Sequence, residues 1–204
     1  MTDAVAVTGL GLVSPLNPEG DRERFWTALC AGESGVGAIR SFDASAYPCR
    51  VAAEVDREFL GGGRAQRAPA LRMAELAFGR ALEHAGIPAG VYSPRRAGVV
   101  VGTVLGGTIA GERYLRAEGA DRGEAAKELA GYPLRVIAAA LARGAGYSGP
   151  VLTVSTACAS GTDAIGLASR KIASGSADLI VAGGVDAICE LSFSGFSSLK
   201  ALTP

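Results

Sequence analysis

Four short apolar runs, bounded by glycine and rich in valine and isoleucine, constrain this chain more than any other feature. They are Val5–Val13 (VAVTGLGLV), Gly98–Thr103 (GVVVGT), Val151–Thr156 (VLTVST) and Leu179–Val185 (LIVAGGV). None alternates apolar with polar residues, as a half-exposed strand would. Continuous apolar runs of this length read as strands buried on both faces of a mostly parallel sheet. Helical patterns lie between them. One follows Asn17-Pro18, read as N-cap and first helical residue, and runs to Gly32. A second starts near Pro69, carries Leu71, Ala74, Phe78, Ala81, Leu82 and Ala85 at helical spacing, and ends at Gly86. A third starts near Pro133 with Leu134, Ile137, Ala138 and Leu141. A fourth follows Cys158, with Ile165, Ala168 and Ile172, and ends at Gly175. Strands alternating with helices predict an α/β layered fold of βαβ units, its buried sheet flanked by helices.

Two segments interrupt this rhythm. Ser34–Arg64 is an insertion whose arms, around Ile39–Phe42 and Arg50–Val55, are expected to pair as an edge hairpin. Its glycine run Gly61-Gly62-Gly63 reads as a flexible join. Residues 108–131 are charged and are expected to form a solvated, partly helical excursion. The 204 residues, 49% of them hydrophobic, suffice for one domain with a sizeable core.

Charge and cysteine usage exclude several functions. Twenty basic residues balance twenty acidic ones, so neither nucleic acid nor an anionic membrane is an expected partner. Cys30, Cys49, Cys158 and Cys189 include no C-x-x-C pair, and His84 is the only histidine. No metal site is therefore expected, and four cysteines in a chain this long point to reduced thiols in the cytoplasm. The first residues lack the basic region of a signal peptide, and every apolar run is too short to cross a bilayer.

The most informative segment is TVSTACASGTDAIG, residues 153–166. A buried strand ends, small residues surround Cys158, and a helical pattern begins. This is the layout of a nucleophile elbow, a sharp turn that pushes one side chain outward. A thiol at a helix N-terminus sits among N–H groups that favour the thiolate and can stabilise an oxyanion. The competing reading makes Cys158 a small buried apolar residue, the usual fate of a free cysteine; local pattern leaves both open. Cys30, Cys49 and Cys189 lack such surroundings and read as structural.

Other candidates are weaker. TGLGLVSP, residues 8–15, has the first two glycines of a dinucleotide loop but Ser14 in place of the third, and Pro15 opposes a helix. Its glycines read as sites of close backbone packing. VGTVLGG, residues 101–107, reads as backbone near a ligand or as a tight turn; no Lys-Ser/Thr follows, so it is no P-loop. His84 reads as a solvated residue complementing a helix C-terminus. Asp178 and Asp186 flank one strand from opposite ends, too far apart to act as an acid/base dyad.

Together these segments resemble the N-terminal half of a β-ketoacyl-acyl-carrier-protein synthase, of the thiolase superfamily. The likeness runs through VAVTGLGLVSPL, FWTALCAGESGVGAI, FDASAYPCRVAAEV, VVVGTVLGG, GPVLTVSTACASGTDAIG, ADLIVAGGVDA and GFSSLKALTP. TACASG and the Gly195-Phe196 pair look closest to the dissociated elongating synthases of fatty acid or aromatic polyketide assembly. A module of a large polyketide synthase is the next choice. The retained cysteine sets the chain apart from chain-length-factor relatives.

The resemblance implies an acyltransferase working by decarboxylative Claisen condensation. An acyl group passes from the phosphopantetheine of an acyl carrier protein to Cys158, whose N–H is one oxyanion donor; malonyl-carrier protein then loses carbon dioxide and attacks. It implies Leu105 and Phe196 as acyl-pocket residues, no bound cofactor, and a homodimer or a heterodimer with a ketosynthase-like chain. It also implies two histidines from a C-terminal half, whereas this chain holds only His84. Residues 1–204 are therefore expected to form an incomplete ketosynthase N-terminal domain, active in condensation only when a C-terminal half is supplied. The alternatives are a non-catalytic subunit that binds a carrier protein or synthase, and a thiolase-like enzyme taking coenzyme A thioesters directly.

Overall fold

The structure, a computed structural model, describes residues 4–203 apart from 62, 64–66 and 89. Gly62 and Arg64, in the expected glycine join and at the end of the insertion, lie outside the described residues, as does Pro204.

Three parallel strands form the central sheet: β3 (Ala97–Gly102), β4 (Val151–Val154) and β5 (Leu179–Gly184), in the order β4-β3-β5. Val99 pairs with Val151 on one side and with Val181 on the other. The alternation of the central strand sorts its valines. Val99 and Val101 face Ala70 and Ala74 of α2 (Pro69–Ala85) and Ile137, Ala138 and Leu141 of α5 (Arg135–Ala145). Val100 faces Ala164 and Ala168 of α6 (Ser160–Ala173). The result is three layers, helices on both faces of a parallel sheet, as the sequence predicts. All six residues of β3 are buried, whereas β4 and β5 are only partly covered because each forms an edge.

Three helices keep their expected ends. Gly86 caps α2 in the left-handed conformation at φ 60°, Gly32 follows the first helix at φ 70°, and Gly175 follows α6 at φ 71°; Gly146, for which no end was expected, caps α5 likewise at φ 71°. The first helix is corrected. α1 spans Arg22–Cys30 and its N-cap is Asp21, which accepts from the Arg24 N–H at 3.0 Å. Asn17 is fully buried and committed to a tight turn: its backbone N–H donates to the Ser14 carbonyl, and its side chain accepts from Gly20 and donates to the Asp21 carbonyl.

The run Val5–Val13 is a second correction, since none of it is assigned to a strand. It lies along α2. A Cβ on Gly9 would collide with Ala81 and Ala85, and one on Gly11 with Ala77. The Leu10 N–H donates to His84 Nδ1 at 2.9 Å, and Arg80, one helical turn earlier, donates to the carbonyls of Leu12 and Pro18. The glycines thus serve close packing against a helix, and Val7 remains 78% exposed.

The insertion does carry a hairpin, displaced toward the N-terminus on its first arm: β1 (Val36–Ala38) pairs antiparallel with β2 (Val51–Ala53). The charged excursion is more helical than expected, comprising α3 (Thr108–Arg116) and α4 (Asp121–Glu128). Arg113 and Arg67 reach the Glu128 carboxylate at 2.9 and 3.3 Å. A last helix, α7 (Glu190–Ser198), follows β5. Among the described residues no helix is long and apolar enough to cross a membrane.

Candidate active site

In parallel strands all C-terminal ends emerge on one side, the side where open α/β sheets hold ligands. Cys158 follows β4, Leu105 follows β3, and Asp186 follows β5. Three separate loops therefore meet at one edge.

The turn between β4 and α6 is sharp. Ala157 has φ 56°, a left-handed conformation costing roughly 1–2 kcal/mol for a residue with a Cβ. Ser160 holds that turn closed. Its hydroxyl accepts from the Thr156 N–H at 2.9 Å and donates to the Ala157 carbonyl at 2.6 Å, with the side chain buried. Thr156 in turn donates to Asp163 in the first turn of α6 at 2.5 Å. Cys158, one residue beyond the strained position, is exposed as a free thiol. The reading of Cys158 as a buried core residue therefore fails.

Glycines set where this helix start sits. A Cβ on Gly102, at the end of β3, would collide with the Ser160 carbonyl and with Gly161. Gly161 and Gly184 also approach each other, though less tightly: a Cβ on Gly184 would come within 2.9 Å of the Gly161 Cα. The N-terminus of α6 therefore rests on the ends of β3 and β5 backbone to backbone.

The loop after β3 is organised by a residue that sequence reasoning treated only as a strand bracket. The Asp186 carboxylate accepts from the Thr103 hydroxyl at 2.7 Å, and from the N–H groups of Val104, Leu105 and Gly106 at 3.1, 2.8 and 3.4 Å. Leu105 is half-buried. Of the two readings of this glycine loop, the tight turn is what the structure displays, with an internal carboxylate at its centre. Phe196 lies on α7, with 53% of its surface exposed. Helix α7 is anchored at its start: Arg116 pairs with Glu190 at 2.5 Å, the Tyr47 hydroxyl donates to Glu190 at 3.0 Å, and Glu112 accepts from the Leu191 N–H. A cleft of about 420 Å³ opens between α3 and α7, lined by Thr108, Tyr114, Leu115, Tyr132 and Leu191. Neither Cys158 nor Leu105 lines it.

The remaining candidates separate from this edge. Asp178 sits at the opposite end of β5 and forms a two-pronged pair with Arg96, 2.7 Å from Nε to Oδ2. The Arg96 hydrogen bonds hold its carboxyl below the usual range. His84 is exposed at the end of α2 and committed to Leu10. Cys49 and Cys189 are buried, and burial pushes the Cys189 thiol up. Cys30 is exposed, an outcome its place in a helix did not signal. Among the described residues no three metal-ligating side chains converge.

Comparison with known proteins agrees with this architecture. Residues 2–204 match the family described as Beta-ketoacyl synthase, N-terminal domain. The chain is 34% identical to the tetracenomycin polyketide synthase ketoacyl synthase alpha subunit of Streptomyces glaucescens, over 97% of this chain and 49% of that protein. It is 35% identical to the chloroplastic 3-oxoacyl-[acyl-carrier-protein] synthase I of Hordeum vulgare, over 98% of this chain and 46% of that protein. Among solved structures it superposes, with TM-score 0.81 and 28% identity, on a type II polyketide synthase ketosynthase bound to the hexaketide in complex with its acyl-carrier protein. That match covers 96% of this chain and 48% of that one. The chain thus spans about half the length of the curated relatives it matches.

Proposed function

The chain belongs to the β-ketoacyl synthase family through its N-terminal domain, and on that premise we propose that it is the nucleophile-bearing part of a 3-oxoacyl synthase, with Cys158 as nucleophile. The observation that carries this reading is the exposed thiol of Cys158, next to the strained Ala157 and at the start of α6. In the first step the Cys158 thiolate attacks an acyl thioester on the phosphopantetheine arm of an acyl carrier protein. The new carbon–sulfur bond forms as the old one breaks, and the pantetheine sulfur leaves as a thiolate that takes up the proton the Cys158 thiol gave up. The Cys158 N–H, at the turn into the helix, is the proposed oxyanion donor. Leu105 and Phe196 are proposed to contact the acyl chain, Leu105 because its loop shares the sheet edge with Cys158.

In the second step a malonyl thioester loses carbon dioxide and its carbanion attacks the Cys158 thioester, releasing the thiol and a 3-oxoacyl product. The two histidines that the family resemblance implies for this step find no counterpart in His84, which is bonded to Leu10. This step is therefore assigned to groups from a C-terminal ketosynthase half, on the same polypeptide or another. The relatives' names support fatty acid or polyketide synthesis as the setting. A carrier protein and a ketosynthase-like second subunit are the proposed partners.

The test is transfer of an acyl group from acyl carrier protein to the 204-residue chain, read by intact mass and peptide mapping. The expected result is one acyl group on Cys158, absent from the Cys158→Ala variant. Acylation that persists in that variant, or carrier-protein binding with no transfer, would replace this reading with a non-catalytic docking subunit.

A further inference from the structure

Three consecutive N–H groups, those of Val104, Leu105 and Gly106, converge on one carboxylate that belongs to the chain itself. Successive amides in a turn form an anion-binding concavity of the kind that cradles phosphate in other proteins. Here Asp186 fills it. The Leu105 amide makes the shortest of the three contacts, at 2.8 Å. Two further features fix the turn. Thr103, with no exposed surface, donates its hydroxyl to Asp186 and accepts from the Gly106 N–H at 3.0 Å. Gly106 adopts φ 44°, and a Cβ there would strike the Leu134 side chain.

The contact crosses between elements. The amides follow β3, the carboxylate follows β5, and α7 with Phe196 begins only four residues after Asp186. Asp186 therefore ties together the two segments that carry the apolar residues of the proposed site. We propose that Asp186 is a positioning residue for acyl-chain selection: it holds the 104–106 turn, and with it Leu105, in one place relative to Cys158. This rests on the reading of Cys158 as the acyl acceptor. Asp186 touches no reacting atom in that scheme; it acts through Leu105.

Two measurements on the 204-residue chain, its Asp186→Ala and Asp186→Asn variants, and Thr103→Val test the proposal. The first is hydrogen exchange of the Val104–Gly106 amides. Asp186→Ala should speed exchange of the Val104 and Leu105 amides by roughly tenfold or more, because each loses a charge-assisted bond, and that of Gly106 less, because its N–H keeps the Thr103 hydroxyl. Asp186→Asn should speed it less, since one carbonyl acceptor remains. Thr103→Val, which removes one supporting hydroxyl, should give an intermediate effect. The second is Cys158 acylation by a series of acyl thioesters of increasing length, beside its alkylation by iodoacetamide. The expected result is a flattened chain-length preference in Asp186→Ala, partial restoration in Asp186→Asn, and an iodoacetamide rate within about twofold of the parent. A purely structural role would lower the acylation of all lengths and the alkylation together. Unchanged exchange, or an unchanged length profile despite faster exchange, would overturn the proposal. If the parent chain takes no acyl group from any thioester, the acyl-acceptor reading fails. Selection by Asp186 falls with it, while the exchange data still report whether Asp186 anchors the turn.

Discussion

The Cα of Gly161 stands so close to Gly184 that a methyl group added at Gly184 would lie 2.9 Å from it. Helix α6 and strand β5 therefore touch main chain to main chain at the point where the nucleophile loop enters the helix. Gly102 makes the same kind of contact with Ser160 from β3.

Substitutions at these glycines should differ in a fixed order. Gly102→Ala meets rigid backbone and should cost about 2–4 kcal/mol. Gly184→Ala should cost about 1–3 kcal/mol. Gly161→Ala meets a neighbour at 3.3 Å but gains about 1 kcal/mol of helix propensity, so its net effect should stay within about 1 kcal/mol. Urea unfolding of the three variants checks the order; a Gly161→Ala variant as damaged as Gly102→Ala would contradict the backbone contact.

Alkylation should split the four cysteines into two pairs. Cys30 and Cys158 are exposed and should react quickly. Cys49 and Cys189 are buried, and the raised Cys189 thiol offers little thiolate at neutral pH. Native-state iodoacetamide labelling should stop at two adducts before slow further modification. Acyl thioesters and cerulenin, which need more than exposure, should modify Cys158 alone.

Ala157 stores strain that its side chain determines. A glycine there removes the steric cost but adds backbone entropy to the unfolded chain, so Ala157→Gly should change stability by less than about 1 kcal/mol. Ala157→Val places a β-branched side chain at φ 56° and should destabilise by about 2 kcal/mol or more. Thermal unfolding of the pair distinguishes a left-handed turn from an ordinary one.

The Arg96–Asp178 pair predicts a pH dependence. Its hydrogen bonds depress the Asp178 carboxyl in the folded state. The associated stabilisation is present above the ordinary carboxylate value, about 3.9, and is lost as pH falls through the lower folded value. Asp178→Asn should therefore be less stable than the parent at neutral pH, and the gap should close below about pH 4. The pair is solvent-exposed, so added salt should also narrow the gap. Urea titrations of both proteins across pH 2–7 measure it.

The strands and helices whose signals are local were legible in the chain. Gly86 and Gly175 ended helices because left-handed caps demand glycine, and the valines of β3 announced a strand covered on both faces. The Val5–Val13 run misled because apolar glycine-rich sequence looks the same whether its backbone bonds to a sheet or lies on a helix. Asn17 misled because a good N-cap residue is equally good in a tight turn, and the neighbouring Ser14 carbonyl took it. At the site, small residues around Cys158 foretold the elbow. Ser160 counted only among those small residues, and its role in pinning the turn was not apparent. Asp186 was read only as a residue flanking a strand; its role could not be read, since its partners lie some eighty residues away and are backbone amides that any sequence supplies.

The carboxylate inside the 104–106 turn also governs which ligands can rest there. An amide hollow already holding one negative group repels a second. A phosphate arriving at this edge of the sheet, such as that of the proposed pantetheine arm, thus finds a like charge where other glycine turns offer it a seat. Its charge must be met by another surface. An uncharged group, such as the thioester and hydrocarbon tail of the proposed substrate, meets no such repulsion.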